Sequence, residues 1–469
     1  MQLGDLLDDL SLDVATGSIE IDRVEIDSRL CREGSLFFAM PGHDEHGAHF
    51  AKDAVARGAV AVVASETLAV DAPVVVVPAT QLRALLAEVS ATITGHPERG
   101  VELVGVTGTN GKTSVTTMVA QLARSIGWNG ANIGTLTNER TTPAPPELFR
   151  TLAALAHGFD ASRRRSVVAL EVSSHAMDQG RVDGLRFAVA AFTNLSHDHL
   201  DYHATMEQYF LAKSLLFNSE HAQRAVVWVD DPYGERLAQM TSLALTMVRR
   251  SDASEVTTSL AGTSFTWRGL PVTTPLVGGY NVDNALMAMT ILSTLGVQDV
   301  QLVAAMTDLD GVPGRFEILR DHDVVVIVDY AHTPEGLRRL LQDVRSLSDG
   351  AKVLTVFGCG GDRDRAKRPE MGEVATTYSD VTFVTSDNPR SEPPDAIMSA
   401  IMTGVAAGAQ VHAIRDRREA ISEALRTANR GDVVLIAGKG HEVTQTIGDV
   451  VVPFDDREVA REILENMQC

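Results

Sequence analysis

VELVGVTGTNGKTSVTTMVAQLARSIG, Val101 to Gly127, reads as a strand, a Gly-rich turn and a helix. VELVGV is a short apolar run, and Val115, Met118, Val119, Leu122 and Ile126 recur at helical spacing. Between them lies TGTNGKT, Thr107 to Thr113, where glycines let backbone N–H groups wrap an anion at a helix N-terminus. Lys112 can reach β- and γ-phosphates, and the Thr113 hydroxyl can ligate Mg²⁺. The general phosphate-loop pattern is met imperfectly, since the glycine expected five positions before Gly111 falls on Val106. An ordinary Gly-rich turn is the plain alternative.

Outward from this unit the same grammar repeats. SVVALEVSSH, DVVVIVDYAHTP, AKVLTVFGCGGDRD, VTFVTSDNPR and DVVLIAGKGHE each run from a buried strand into a polar loop, with helical patterns between many of them. Parallel α/β sheets are written this way, and they bind ligands outside the carboxyl ends of their strands. Glu171 ends one such strand, so its carboxylate is expected beside the phosphate loop, although a strand-end glutamate alone is more often solvated. Turn formers collect at TGHPERG (Thr94 to Gly100) and GVPGRFE (Gly311 to Glu317), giving three expected domains: 1–98, 99–313 and 314–469.

A chain of 469 residues is too long for one core, and 44% hydrophobic with 22% charged residues is ordinary for a globular protein. With 62 acidic and 41 basic residues the net charge is −21, which argues against nucleic-acid binding or a broad anionic-membrane surface. MQLGDLLDDL carries acidic residues where a signal peptide needs basic ones, and no apolar run is long enough to cross a bilayer, so a cytoplasmic location is expected. Cys31, Cys359 and Cys469 have no metal-ligand spacing and read as free thiols.

TGTNGKT, LEVSSHAMDQGRV, FTNLSHDHLDYH, YFLAKSLLF, GGYNVDNAL, GVPGRFE and VDYAHTPEGL occur in this order, and with them the chain resembles the muramyl ligase family nearly end to end. The resemblance implies an N-terminal domain for UDP-N-acetylmuramoyl substrates, a central ATPase and a Rossmann-like C-terminal domain that brings in an amino acid. It implies that ATP phosphorylates a carboxylate and that an amine attacks the acyl phosphate. On the family pattern, Gly108, Thr109, Asn110, Gly111, Lys112, Thr113, Ser114, Asn284, Arg315 and Asp329 hold the nucleotide. Thr113 and Glu171 would serve one Mg²⁺; His199, and Lys213 as a CO₂-derived carbamate, would serve the other. Lys112, Lys213 and His199 are the expected catalytic residues. Without the family, Lys213 reads as a surface lysine on an amphipathic helix and His199 as a surface histidine.

VEIDSRLCREGSLFFAMPGHDEHG resembles the family's uridine-nucleotide segment, which places Ile26, Ser28, His43, Asp44 and Glu45 at the UDP end. Thr141, Thr142, Ser173, Gln179 and Arg181 match positions that grip the muramoyl-dipeptide. SDNPRSEPP resembles the motif of diaminopimelate-adding members: Asp387, Asn388, Pro389 and Arg390, with Arg363, Gly438 and Glu442, would form that pocket. A guanidinium suits the distal carboxylate by which diaminopimelate differs from lysine, and Glu442 could receive the distal ammonium. A lysine-adding member, a folylpolyglutamate-type synthase and a nucleotide switch are the competing readings, and a monomer is expected.

Overall fold

The computed structural model describes residues 1–9, 19–42, 45–138, 140–319 and 324–467. Strands Arg23–Glu25, Ser35–Phe38, Ala59–Ala64 and Val74–Val76 form a parallel sheet in chain order. Helix Leu82–Ile93 covers it, with Leu82, Leu86 and Val89 packed on Leu36, Phe38 and Val63.

The strand of the opening motif, Glu102–Thr107, lies inside a six-stranded parallel sheet between Ser166–Glu171 and Val189–Phe192. Asn129–Ile133 continues one side; Arg224–Trp228 and Ala244–Val248 continue the other. Both sheet faces are buried. Val104 and Val106 face the helix residues Val115, Met118 and Leu122. Leu103 faces Phe149 and Phe187. This two-sided burial explains why the strand is apolar throughout rather than alternating. Chain order reverses at Glu102–Thr107, and that is where an open α/β sheet leaves a crevice for ligands.

The α/β class and its three sheet-bearing units agree with the sequence reading. One element departs from it. Ala253–Ser259, Gly262–Trp267 and Leu270–Thr274 form an antiparallel sheet, whose Phe265, Trp267 and Val272 join the core of the central unit. Its short strands alternate buried and exposed residues, a pattern hidden among the apolar runs around it.

In the C-terminal sheet, Val433–Ala437 inserts between Val325–Asp329 and Val353–Phe357, followed by Val381–Val384 and Val411–Ala413, with antiparallel Glu317–Leu319 at the edge. The insertion gathers the loops after Asp329, Phe357, Val384 and Ala437 at one sheet end. Behind them, the fully buried Arg417 makes a bidentate pair with Asp456 at 2.7 and 2.6 Å and donates to the carbonyl of Ala437 at 3.0 Å. A buried charge pair tolerates loss of neither partner, so it fixes the base of the loop that follows Ala437.

Candidate active site

Gly108 (φ 143°) and Gly111 (φ 86°) shape the phosphate loop. A Cβ on Gly108 would lie 2.0 Å from Thr193 Oγ1, and one on Gly111 would lie 2.6 Å from Asn284 Oδ1. Only glycine permits these approaches. Thr109 N donates to Asn194 O (2.8 Å) and Asn110 N to Asn194 Oδ1 (3.0 Å), which ties the loop to the neighbouring strand end. Lys112 Nζ bends back to the carbonyls of Gly108 (2.9 Å) and Thr109 (2.8 Å). Removal from water holds its ammonium below the ordinary lysine range, against the opposing charges of Glu171 and Asp198.

Beside the loop is a cavity of about 420 Å³ whose wall includes Asn110, Gly111, Ser114, Asn284, Arg315 and Asp329. It lies between the central and C-terminal units. Asp329 already accepts hydrogen bonds from Tyr280 Oη (2.9 Å), Phe316 N (2.7 Å) and Ala331 N (2.7 Å), so a ribose would share these oxygens. Arg315 crosses between the units, with Nη2 3.3 Å from Thr113 Oγ1 and its guanidinium over the Tyr330 ring at 4.2 Å. His197 Nε2 lies 3.0 Å from Asp364 Oδ2, a further bridge between the units.

The Thr113 hydroxyl donates to Glu171 Oε2 at 3.0 Å, and Thr135 N donates to Glu171 Oε1 at 2.9 Å. A hydroxyl and a carboxylate meeting at the phosphate loop are the hard oxygen donors that Mg²⁺ takes. Lys213 is buried rather than snorkelling. Its Nζ donates to Gly108 O (2.8 Å) and lies 4.7 Å from the Tyr209 ring centre. Burial, then the charge of Lys112, drives this amine well below the usual lysine range. A neutral amine is the form that adds CO₂, so Lys213 fits the carbamate that the resemblance implies. His199 (φ 56°) packs edge-on to Tyr209 and His175 at ring distances of 5.9 and 5.2 Å. Its imidazole is pushed down to about 3, by burial first and with Lys213 and Lys112 adding against Asp198, which leaves it neutral as a metal ligand must be. Among the described residues, no three His, Cys, Asp or Glu side chains converge into a metal cage. The expected donors are instead a hydroxyl, one carboxylate, an imidazole and a lysine-derived group.

Thr141, Thr142, Ser173, Gln179 and Arg181 come together as one hydrogen-bonded run. Arg181 donates to Gln179 Oε1 (2.6 Å) and to Thr142 O (2.8 Å). Thr142 Oγ1 donates to Glu171 O (2.8 Å) and accepts from Ser173 N (3.1 Å), and Thr135 Oγ1 reaches Thr141 Oγ1 (3.2 Å). Burial, then the charge of Arg140, lowers the Arg181 pKa. In the N-terminal unit, Ser28 Oγ donates to Asp53 Oδ2 (2.7 Å), Ile26 packs against the sheet core and Glu45 is exposed. His43 and Asp44 lie outside the described residues.

At the C-terminal sheet end, Arg390 (φ 51°) donates from Nη1 to Gly361 O at 2.7 Å, and the charge of Arg363 acts on it. Asn388 Nδ2 donates to Glu442 Oε2 at 2.7 Å. Gly438 (φ 114°) passes so close to Asp387 that a Cβ would lie 2.8 Å from Oδ2. Pro389 sits in the same loop, which the hairpin Thr444–Ile447/Val450–Pro453 buttresses through Arg390 N to Thr446 O (3.1 Å) and Gly448 N to Arg390 O (2.8 Å). Supporting residues that carried no expectation are Asn194, Tyr280, Arg368, Glu392 and Lys439. Arg368 grips both Glu392 oxygens (2.8 and 3.1 Å), and Glu392 Oε1 accepts from Asp362 N (2.8 Å), which fixes the loop that carries Arg363. A glutamate just after Asn-Pro-Arg was the one available hint of this clamp.

A phosphate loop and a hydroxyl–carboxylate pair beside a cavity between the central and C-terminal units belong to an ATP-dependent ligase that forms amide bonds. Residues 20–94, 106–292 and 314–440 match the models of the Mur ligase family catalytic domain, the Mur ligase middle domain and the Mur ligase glutamate ligase domain. The chain belongs to the Mur ligase family. It is 42% identical to the UDP-N-acetylmuramoyl-L-alanyl-D-glutamate–2,6-diaminopimelate ligase of Synechococcus elongatus, covering 96% of this chain and 95% of that one. It is 44% identical to the protein of the same name from Geobacillus kaustophilus, with 95% of each chain covered. A solved structure of a ligase of this name superposes with a TM-score of 0.67 at 30% identity, over 100% of this chain and 99% of that one. Folylpolyglutamate synthase of Mycobacterium tuberculosis shares the fold at 19% identity and a TM-score of 0.61, over 76% of this chain and 92% of that one.

Proposed function

We propose that this protein joins meso-diaminopimelate to UDP-N-acetylmuramoyl-L-alanyl-D-glutamate at the expense of ATP, in cytoplasmic peptidoglycan precursor synthesis. The observation that carries this reading is the gathering of Arg390 and Glu442 at one sheet end, where Asn388 Nδ2 holds Glu442 Oε2 at 2.7 Å and the charges of both Arg363 and Glu442 act on Arg390: cations for a distal carboxylate and an anion for its ammonium. The names of the full-length relatives support it. Residues 1–98 would bind the UDP-muramoyl end, 99–313 ATP, and 314–469 the amino acid.

A carboxylate at neutral pH is a poor electrophile. In the proposed reaction its oxygen attacks the γ-phosphorus, the bond to ADP breaks, and the amine then displaces phosphate from the acyl carbon. Lys112 and Arg315 would hold the phosphate charge, and Arg181 would anchor an anionic group of the acceptor. Thr113 and Glu171 would hold one Mg²⁺; His199 and carbamylated Lys213 would hold the other. The metals, when bound, neutralise charge on the transferring phosphoryl. No helix among the described residues is long and apolar enough to cross a membrane.

The route is tested with acceptor labelled by ¹⁸O in its terminal carboxylate. One label per turnover should appear in the released phosphate. The second label stays in the amide by any route, so expelled label found in water or in a nucleotide, with none in phosphate, would overturn the acyl-phosphate route.

A further inference from the structure

Lys439 is fully buried, with 0% exposure. Its ammonium donates to Thr444 O at 2.6 Å, Glu442 Oε2 at 3.0 Å and Asn388 Oδ1 at 3.3 Å. Three donors meet three acceptors, so the group has nothing left to offer a ligand. Its neighbours are constrained in turn. Asn388 Oδ1 also accepts from Thr446 N at 3.0 Å, while Asn388 Nδ2 donates to Glu442 Oε2 at 2.7 Å. The amide can therefore adopt only one of its two flips. Both bonds to Glu442 fall on Oε2, and that side chain keeps 30% exposure, which leaves its second oxygen to the open side. The three residues come from loops after two different strands, Val381–Val384 and Val433–Ala437, which are not neighbours in the sheet.

We propose that Lys439 is a positioning residue for the incoming amine substrate. It locks Asn388 and Glu442 into one unit, so that the carboxylate meant for the distal ammonium stands at a set place relative to the Arg390 guanidinium. This rests on the pocket taking a diamino dicarboxylate, as proposed above. Removing the ammonium would strand Glu442 against Asn388 alone and free both side chains to turn, while the phosphate loop and acceptor residues are untouched.

The test is steady-state kinetics of the full-length enzyme with meso-diaminopimelate, ATP and the UDP-muramoyl-dipeptide. Lys439→Met keeps the stem and removes the charge and donors; Lys439→Gln removes the charge but keeps two donors. The Met variant should raise KM for diaminopimelate about tenfold or more, with kcat and the KM for ATP within about threefold of wild type. Lys439→Gln should fall between. Because Lys439 acts through Glu442, adding Lys439→Met to Glu442→Gln should cost much less than the product of the two single effects. An unchanged KM for diaminopimelate in folded variants, or fully multiplicative effects, would overturn the proposal. Failure of both variants to fold would also overturn it, in favour of a role in stability. If the wild type refuses diaminopimelate, the pocket reading itself fails; if it accepts diaminopimelate and the variants keep its KM, only the role of Lys439 fails.

Discussion

Lys213→Ala is expected to lower kcat by about 10³-fold, roughly 4 kcal/mol of transition-state stabilisation, while affinity for the UDP substrate stays within about twofold. The reasoning starts from burial. Lys213 lies against Gly108 O, and neither acceptor of its hydrogen bonds, Gly108 O or Thr107 Oγ1, is a carboxylate. An ammonium there is held well below its usual pKa, so the amine gives up its proton more readily than an ordinary lysine and, once neutral, can add CO₂ and become an anion beside the phosphate loop. The sign follows: lowering the pH returns the proton to the amine and removes the carbamate, so activity should fall toward acid. CO₂-stripped enzyme should regain rate with added bicarbonate, and the alanine variant should not respond. Wild-type turnover by Lys213→Ala would remove the residue from the mechanism.

Arg390→Ala should raise KM for diaminopimelate about 10²-fold and leave kcat nearly unchanged. Its guanidinium would meet a non-reacting carboxylate, bound equally in ground and transition states. The left-handed backbone at Arg390 is held by the hairpin through Thr446 and Gly448, so the loop should keep its course without the side chain. Initial rates at varied diaminopimelate measure the effect. An unchanged KM would take Arg390 out of the pocket.

What the sequence shows and hides follows from how far each interaction reaches along the chain. The phosphate loop was legible because strand, glycines, lysine and helix are contiguous, and their geometry is local. Glu171 was placed correctly at a strand end, yet its contact with Thr113 depends on Ser166–Glu171 pairing beside Glu102–Thr107. Lys213 could be read only as an amphipathic-helix lysine. What buries it is a loop 105 positions away. Lys439 and the Glu392–Arg368 clamp escaped notice for a related reason: runs of apolar residues announce strands but not their order. Only the insertion of Val433–Ala437 into the middle of the C-terminal sheet brings AGKGHE across to Asn388. The antiparallel sheet over 253–274 was missed because its strands are short and carry Ser or Thr at half of their positions, which weakens the apolar signal of their alternation.

The most direct test of the proposed activity is phosphate release by the purified protein with ATP, Mg²⁺ and UDP-N-acetylmuramoyl-L-Ala-D-Glu, with meso-diaminopimelate and L-lysine compared at equal concentration. The account predicts rapid release with diaminopimelate and at least about 10²-fold slower release with lysine, which leaves the guanidinium of Arg390 without its carboxylate. Equal or faster release with lysine would contradict the assignment of the pocket.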